Sequence, residues 1–181
     1  MQELIYNQKN IPKKQWRYGF RSSAATGCGW IATYNALLLM GCRANPERLI
    51  RYYERQAPLL NGNLGTLFFG PAIYFKQNKF QVKMTAKRRK FDDLVKESDA
   101  CILFYWWRHK WKFGKHFVTL HYQDEKVIGY NTYSNSKGPD HYGDSLEEFL
   151  KKRKYFWAVL IGIRKNASDR YSGKRLRNEG M

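Results

Sequence analysis

The stretch Thr26–Gly41 reads TGCGWIATYNALLLMG, with Cys28 held between Gly27 and Gly29. Trp30, Tyr34, Leu37 and Leu38 fall at i, i+4, i+7 and i+8, one apolar stripe of a helix. Thr26 or a neighbour suits the cap, and Gly41 suits the position just past the last turn. The spacing therefore predicts a helix that begins at the cysteine. A helix N-terminus carries unpaired N–H groups and partial positive charge, which favour thiolate over thiol. Gly27 and Gly29 permit close approach to the main chain, and the same N–H groups would steady an oxyanion formed on attack. The same triplet also describes a small residue packed at a tight turn.

Outward from this stretch, the chain alternates helical and strand-like runs. NPERLIRYYERQ predicts a helix with Asn45 as cap, Pro46 at the first helical position, and Leu49, Ile50 and Tyr53 inward. GTLFFGPAIYFKQN predicts a third helix, bent or broken at Gly70-Pro71. KFQVKMTA reads as a strand, KFDDLVKES as a short helix, and the continuous apolar run ACILFYWW as a central strand. KHFVTLHY and KVIGYNTY are strand-like and joined by QDE, a hairpin. SNSKGPDHYG reads as a loop, DSLEEFLKK as a helix capped by Asp144 or Ser145, and YFWAVLIGIRK as a last strand. Residues 1–20 read as an irregular lead-in. Helices first and a mainly antiparallel sheet after them define an α+β class. The expected organisation is one domain over residues 1–165 and a basic, mobile tail over 166–181.

Composition limits the function. Lys and Arg number 33 against 15 Asp and Glu, a net charge of +18. From Arg164 onward there are six basic and two acidic residues, so most of the excess lies in the body. An anionic partner fits that balance, as does a merely solvated surface. No run of 18 apolar residues exists, and MQELIYNQKNIPKKQ has no apolar core of a signal peptide, so a cytoplasmic protein without a membrane span is expected. Three widely spaced cysteines, Cys28, Cys42 and Cys101, offer no metal-ligand spacing and no disulfide framework. No metal and no cofactor is expected.

A nucleophilic cysteine needs a base, and four histidines are available: His109, His116, His121 and His141. His116 opens the alternating run HFVTLHY. If Asp124 and Glu125 form a two-residue turn, facing residues of the hairpin sum to 249. His116 and Val118 then share a face with Asn131, which lies diagonal to His116 and within bonding reach. An odd loop would put Thr132 there instead. His121 has the opposite parity, His109 lies in a basic loop, and His141 in a Gly/Pro loop is the competitor.

Cysteine after glycine at a helix start, then HFV opening a strand, then Asn on the next strand: this order resembles the papain-like cysteine peptidases, and among them the bacterial double-glycine leader-peptidase-like group. TGCGWIATYNAL matches the first element, KHFVTLHY the second and Asn131 the third, and the resemblance spans most of residues 20–163. It implies a papain-like fold and a Cys28-His116-Asn131 triad that cleaves a peptide or amide through a thioester acyl-enzyme. It departs at one position. The family carries Gln about six residues before the cysteine, as part of the oxyanion hole, and here Ser22 stands there. Ser22, Arg21 or main-chain N–H groups such as that of Gly29 are the expected substitutes. The alternative is a catalytically weak papain-like module that binds nucleic acid or an acidic polymer.

YWWRHKWKFGKH, from Tyr105 to His116, holds three Trp and four Lys or Arg residues immediately ahead of the proposed base. As a cleft lining, Trp107 and Trp111, with Gly27 and Trp30, would select an anionic or ring-bearing substrate. The same stretch, with KMTAKRRK, would suit nucleic acid, or would simply cover a sheet edge while its cations stay wet.

Overall fold

The computed structural model describes residues 2–56, 65–109 and 111–166. In chain order, a 3-10 turn at Gln8–Asn10 precedes a small hairpin, β1 (Arg17–Tyr18) and β2 (Arg21–Ser22). The helices α1 (Ser23–Thr26), α2 (Cys28–Leu39), α3 (Pro46–Gln56) and α4 (Gly70–Gln77) follow. Then come β3 (Gln81–Thr85), α5 (Phe91–Glu97), β4 (Ala100–His109), β5 (Lys112–Gln123), β6 (Lys126–Tyr130), β7 (Asp140–Tyr142), α6 (Glu147–Arg153) and β8 (Tyr155–Arg164). The main sheet has the order β3-β8-β4-β5-β6-β7, and every pair in it is antiparallel.

The sheet is buried on both faces, and strand parity assigns each side chain to one core. Ile102, Phe104 and Phe117 pack with Trp30, Ile31, Leu37 and Tyr53 of the early helices. Leu103, Tyr105, Val118 and Leu120 pack with Leu94, Val95, Phe149 and Leu150 of α5 and α6. Because both faces are covered, β4 reads as a continuous apolar run rather than an alternating one. Thr119 fixes α2 to the sheet, its Oγ1 donating to the Ala32 carbonyl at 3.0 Å.

Helix α2 is enclosed on all sides, with residues 29–37 buried. Its end is a Schellman motif: Cys42 N donates to Leu37 O, Gly41 N to Leu38 O, and Gly41 takes φ +70°. α3 begins as expected, with Asn45 Oδ1 accepting from Arg48 N at 3.1 Å.

Four sequence expectations are corrected. The third helix does not run from Gly65 with a break; it starts at Gly70, with Pro71 in its first turn, because proline has no N–H to give an interior turn. The KVIGYNTY strand stops at Tyr130, since Asn131 turns away with φ +58°. The segment expected as a loop contains β7, which pairs with β6 from Val127 to Gly129. The lead-in holds β1, whose two residues offer no readable period. The tail beyond Asn166 lies outside the described residues.

Candidate active site

The β5–β6 hairpin sets the site. Its register is Thr119↔Tyr130 through Gln123↔Lys126, the sum of 249 that a two-residue turn requires. Asp124 and Glu125 both have positive φ, +50° and +58°, as a type I′ turn demands. β5 outruns β6: residues 112–118 pair with β4 only. Main-chain groups of alternate residues point to the same neighbour. The amides of Phe117, Thr119, His121 and Gln123 therefore face β6, and at Phe117 no strand remains to receive one.

Cys28 fills that opening. It is the first residue of α2, with Gly27 as N-cap, and the main-chain N–H groups of Phe117, Gly29 and Cys28 itself are directed at its sulfur. Burial pushes the Cys28 thiol up from its ordinary value, and those N–H groups together with the Lys115 ammonium oppose the rise. No disulfide joins the cysteines among the described residues.

His116 directly precedes Phe117 on β5, and its ring lies on the opposite face of the sheet, edge-on to Tyr105 at 6.0 Å. Its Nε2 lies 2.7 Å from the main-chain oxygen of Asn131. A carbonyl only accepts, so Nε2 carries the proton and Nδ1 keeps its lone pair. Burial pushes the imidazole down to about 4, the Asn131 carbonyl holds it up in part, and the nearby Arg153 and Lys9 charges press it lower. Burial thus favours the uncharged form of both groups, raising the Cys28 thiol and lowering the His116 imidazole.

Asn131 meets the ring through its backbone, whereas the sequence reading used its side chain. The side chain is engaged elsewhere. Its Oδ1 accepts from Gln8 N at 2.8 Å and its Nδ2 donates to Gln8 Oε1 at 3.1 Å, both buried. Gln8 also donates through Nε2 to the Ala24 carbonyl. Asn tolerates the left-handed backbone at this turn. Sequence reasoning missed Gln8, and a contact across 123 residues leaves no local signal.

The flanking glycines answer to protein, not to open space. A Cβ on Gly29 would sit 2.2 Å from Thr66 Oγ1, and one on Gly27 would sit 2.6 Å from Ser23 O. Trp30 is fully buried, its indole N–H donating to Ser23 Oγ, and so belongs to the core rather than a cleft. Trp107 is half-buried, its ring covering Gly114 and packing on the second core, while Trp111 is 91% exposed. Ser22 lies on β2 opposite Arg17 and forms no side-chain cap on α1. Thr132, bonded to Asp140, does not take the place beside His116. His141 is exposed on β7, His121 is half-buried further along β5, and the side chain of His109 lies outside the described residues. Among the described residues no cluster of His, Cys, Asp or Glu is arranged to hold a metal. A pocket of about 330 Å³ lies beyond Thr66, lined by Tyr53, Gln56 and Gln77 among others, and its lining does not include Cys28 or His116.

An antiparallel sheet packed behind a central helix that starts at a cysteine, with helices on its other face, is a papain-like α+β fold. Among solved structures the chain is similar to the peptidase domain of Streptococcus ComA, described as a bi-functional ABC transporter involved in a quorum-sensing pathway. The TM-score is 0.53 and the identity 12%, over 78% of this chain and 93% of that one. No family model and no curated protein matches the chain.

Proposed function

We propose that the chain is a cysteine hydrolase of peptide or amide bonds, acting through Cys28 and His116 with Asn131 as the group that orients the ring. The observation that carries this reading is the Nε2–Asn131 carbonyl bond, which leaves Nδ1 as the base, on the residue next to Phe117, whose main-chain N–H meets the Cys28 sulfur. The peptidase-domain neighbour supports it through the fold.

The reaction starts from the neutral pair. Sulfur attacks the substrate carbonyl carbon while the Sγ–H proton passes to Nδ1. The Asn131 carbonyl, already bonded to Nε2–H, stabilises the imidazolium that forms. The N–H groups of Cys28 and Gly29 receive the developing oxyanion in place of the usual glutamine. His116 returns the proton to the leaving amine, the thioester forms, and water activated by the same nitrogen releases the acid.

The test is the pH-dependence of iodoacetamide alkylation at each cysteine, in wild type and in His116→Ala. The base is already neutral above pH of about 4. Cys28 is therefore expected to react well below the ordinary thiol range near about 8.5, and His116→Ala to remove that reactivity. A Cys28 that is inert, or that titrates like a free thiol in both proteins, overturns the proposal.

The raised thiol pKa and the +18 charge favour a second reading, a binding module with weak or no catalysis for nucleic acid or an acidic polymer. In that case affinity falls steeply with salt and survives Cys28→Ala.

A further inference from the structure

We infer that Lys115, Trp106 and Phe156 form a recognition site beside Cys28 for a substrate group that joins a carboxylate to an aromatic ring, as at an acidic aromatic position of a peptide. The chemistry this site would serve rests on the hydrolase reading above; the binding does not.

The three residues come from three strands and meet on the α2 face of the sheet. Trp106 stands opposite Lys115 on β5 and opposite Trp157 on β8. Beyond that point the β4–β8 register shifts, so that Trp107 faces Tyr155 and Phe156 has no counterpart. A bulge of this kind re-aims the extra side chain. Phe156 accordingly lies beside Trp106, ring centroids 6.3 Å apart and planes at 40°. Both rings are open to solvent, 36% for Trp106 and 59% for Phe156. Large rings left exposed side by side mark a place where a flat apolar group is accepted.

Lys115 joins this platform to the nucleophile. Its Nζ lies 5.9 Å from the Trp106 ring centroid. Its stem runs along Gly65, where a Cβ would lie 4.0 Å from Lys115 Cε and 3.5 Å from the Thr26 carbonyl, two residues before Cys28. Lys115 and Cys28 are close enough for each to act on the other's ionisation. The ion pairs among the described residues join other cations: Lys83 to Glu97, Arg88 and Lys151 to Glu147, and Lys152 to Glu148. Among the described residues no carboxylate stands beside Lys115, a half-buried ammonium already partly stripped of water. A ligand carboxylate would supply the missing countercharge, and the +18 of the chain would steer it inward. Lys115, beside the Trp106 ring and within electrostatic reach of Cys28, would hold the bound group on the side of the attacking sulfur.

3-Phenylpropionate and its neutral analogue 3-phenylpropionamide test the site. Binding is read by tryptophan fluorescence in the full chain, and occupancy at the nucleophile by protection of Cys28 from iodoacetamide. The acid is expected to bind about three- to tenfold more tightly than the amide, and Lys115→Gln to erase that difference while Lys115→Arg retains it. Phe156→Ala is expected to weaken acid and amide alike. Equal affinity of acid and amide in wild type overturns the inference, as does binding that leaves Cys28 unprotected. If Cys28 proves unreactive even without ligand, the hydrolase reading falls, and the acid–amide difference with its Lys115 dependence still decides the site.

Discussion

His116 and His121 sit on one strand, five residues apart, and differ in what lies beside them. At His121, β5 still pairs with β6, opposite Ile128, and the main chain is held in that ladder. Its ring is pushed to a lower pKa by burial, with Asp99 opposing, and its Nδ1 is buried without a hydrogen-bond partner. At His116 the neighbouring strand has ended. The vacated edge admits the Asn131 carbonyl on one side of the ring and the start of α2 beside the main chain. What sets His116 apart is the end of β6, not its own strand.

The sharpest way to break this comparison is to remove each ring in turn. His116→Ala is expected to slow Cys28 alkylation at pH 6 by about a hundredfold or more, the scale of a positioned general base. His121→Ala is expected to change it less than about twofold. Mass spectrometry of the labelled chain reads both; equal effects would dissolve the distinction.

Much of this contrast could be read from the sequence. Periodicity placed α2 and its cysteine start, and the Asp124-Glu125 turn fixed the register that sends His116 and His121 to opposite faces. What could not be read is where the pairing stops. Asn131 is chemically able to continue a strand, and the Gln8 clasp, made by a segment with no period of its own, helps hold it in the left-handed turn. The role of Asn131 therefore moved from side chain to backbone. The glycines at 27 and 29 were readable as close-approach positions, yet what approaches them is Ser23 and Thr66, which no local rule connects to the cysteine. Trp30 was misjudged because a helix enclosed on all sides gives its polar-looking and apolar positions the same burial.

Acid stability sharpens the comparison further. The His116 imidazole sits near pH of about 4 in the fold, against 6.5 ordinarily. Between those values the unfolded chain binds a proton that the folded chain refuses, so stability falls as pH drops through this window and levels off below it. The contribution is at most about 3 kcal/mol, less for the part of the ring that meets solvent. His116→Gln is expected to flatten the urea-midpoint profile between pH 6.5 and 4 more than His121→Gln does. Identical profiles would mean that His116 is no more desolvated than its neighbour.

The end of β6 can be tested at Asn131 itself. Asn131→Gly keeps the left-handed backbone and the carbonyl and removes both Gln8 bonds. It is expected to cost about 1–2 kcal/mol of stability while leaving His116-dependent alkylation within a few-fold. Asn131→Val adds the strain of a β-branched residue at φ +58° and is expected to lose that reactivity as well. If glycine abolishes the reactivity in a protein that remains folded, the side chain rather than the carbonyl orients the ring.

The smallest effect concerns charge. The Arg153 guanidinium stacks over Tyr133 at 3.5 Å and leaves Nε and one terminal nitrogen buried without hydrogen bonds. Burial lowers the His116 imidazole most, and the charges of Arg153 on α6 and Lys9 on the lead-in add to that in the same direction. They do not figure among the influences on His121, whose charged neighbour is Asp99. Arg153→Gln is expected to move the His116 titration upward and leave that of His121 in place, followed by NMR of the two rings. The acid limb of Cys28 alkylation should then move to higher pH, because a base that binds its proton more readily is neutral over a narrower range. A shift of both rings together would point to a general loosening of the fold rather than to one cation pressing on one imidazole.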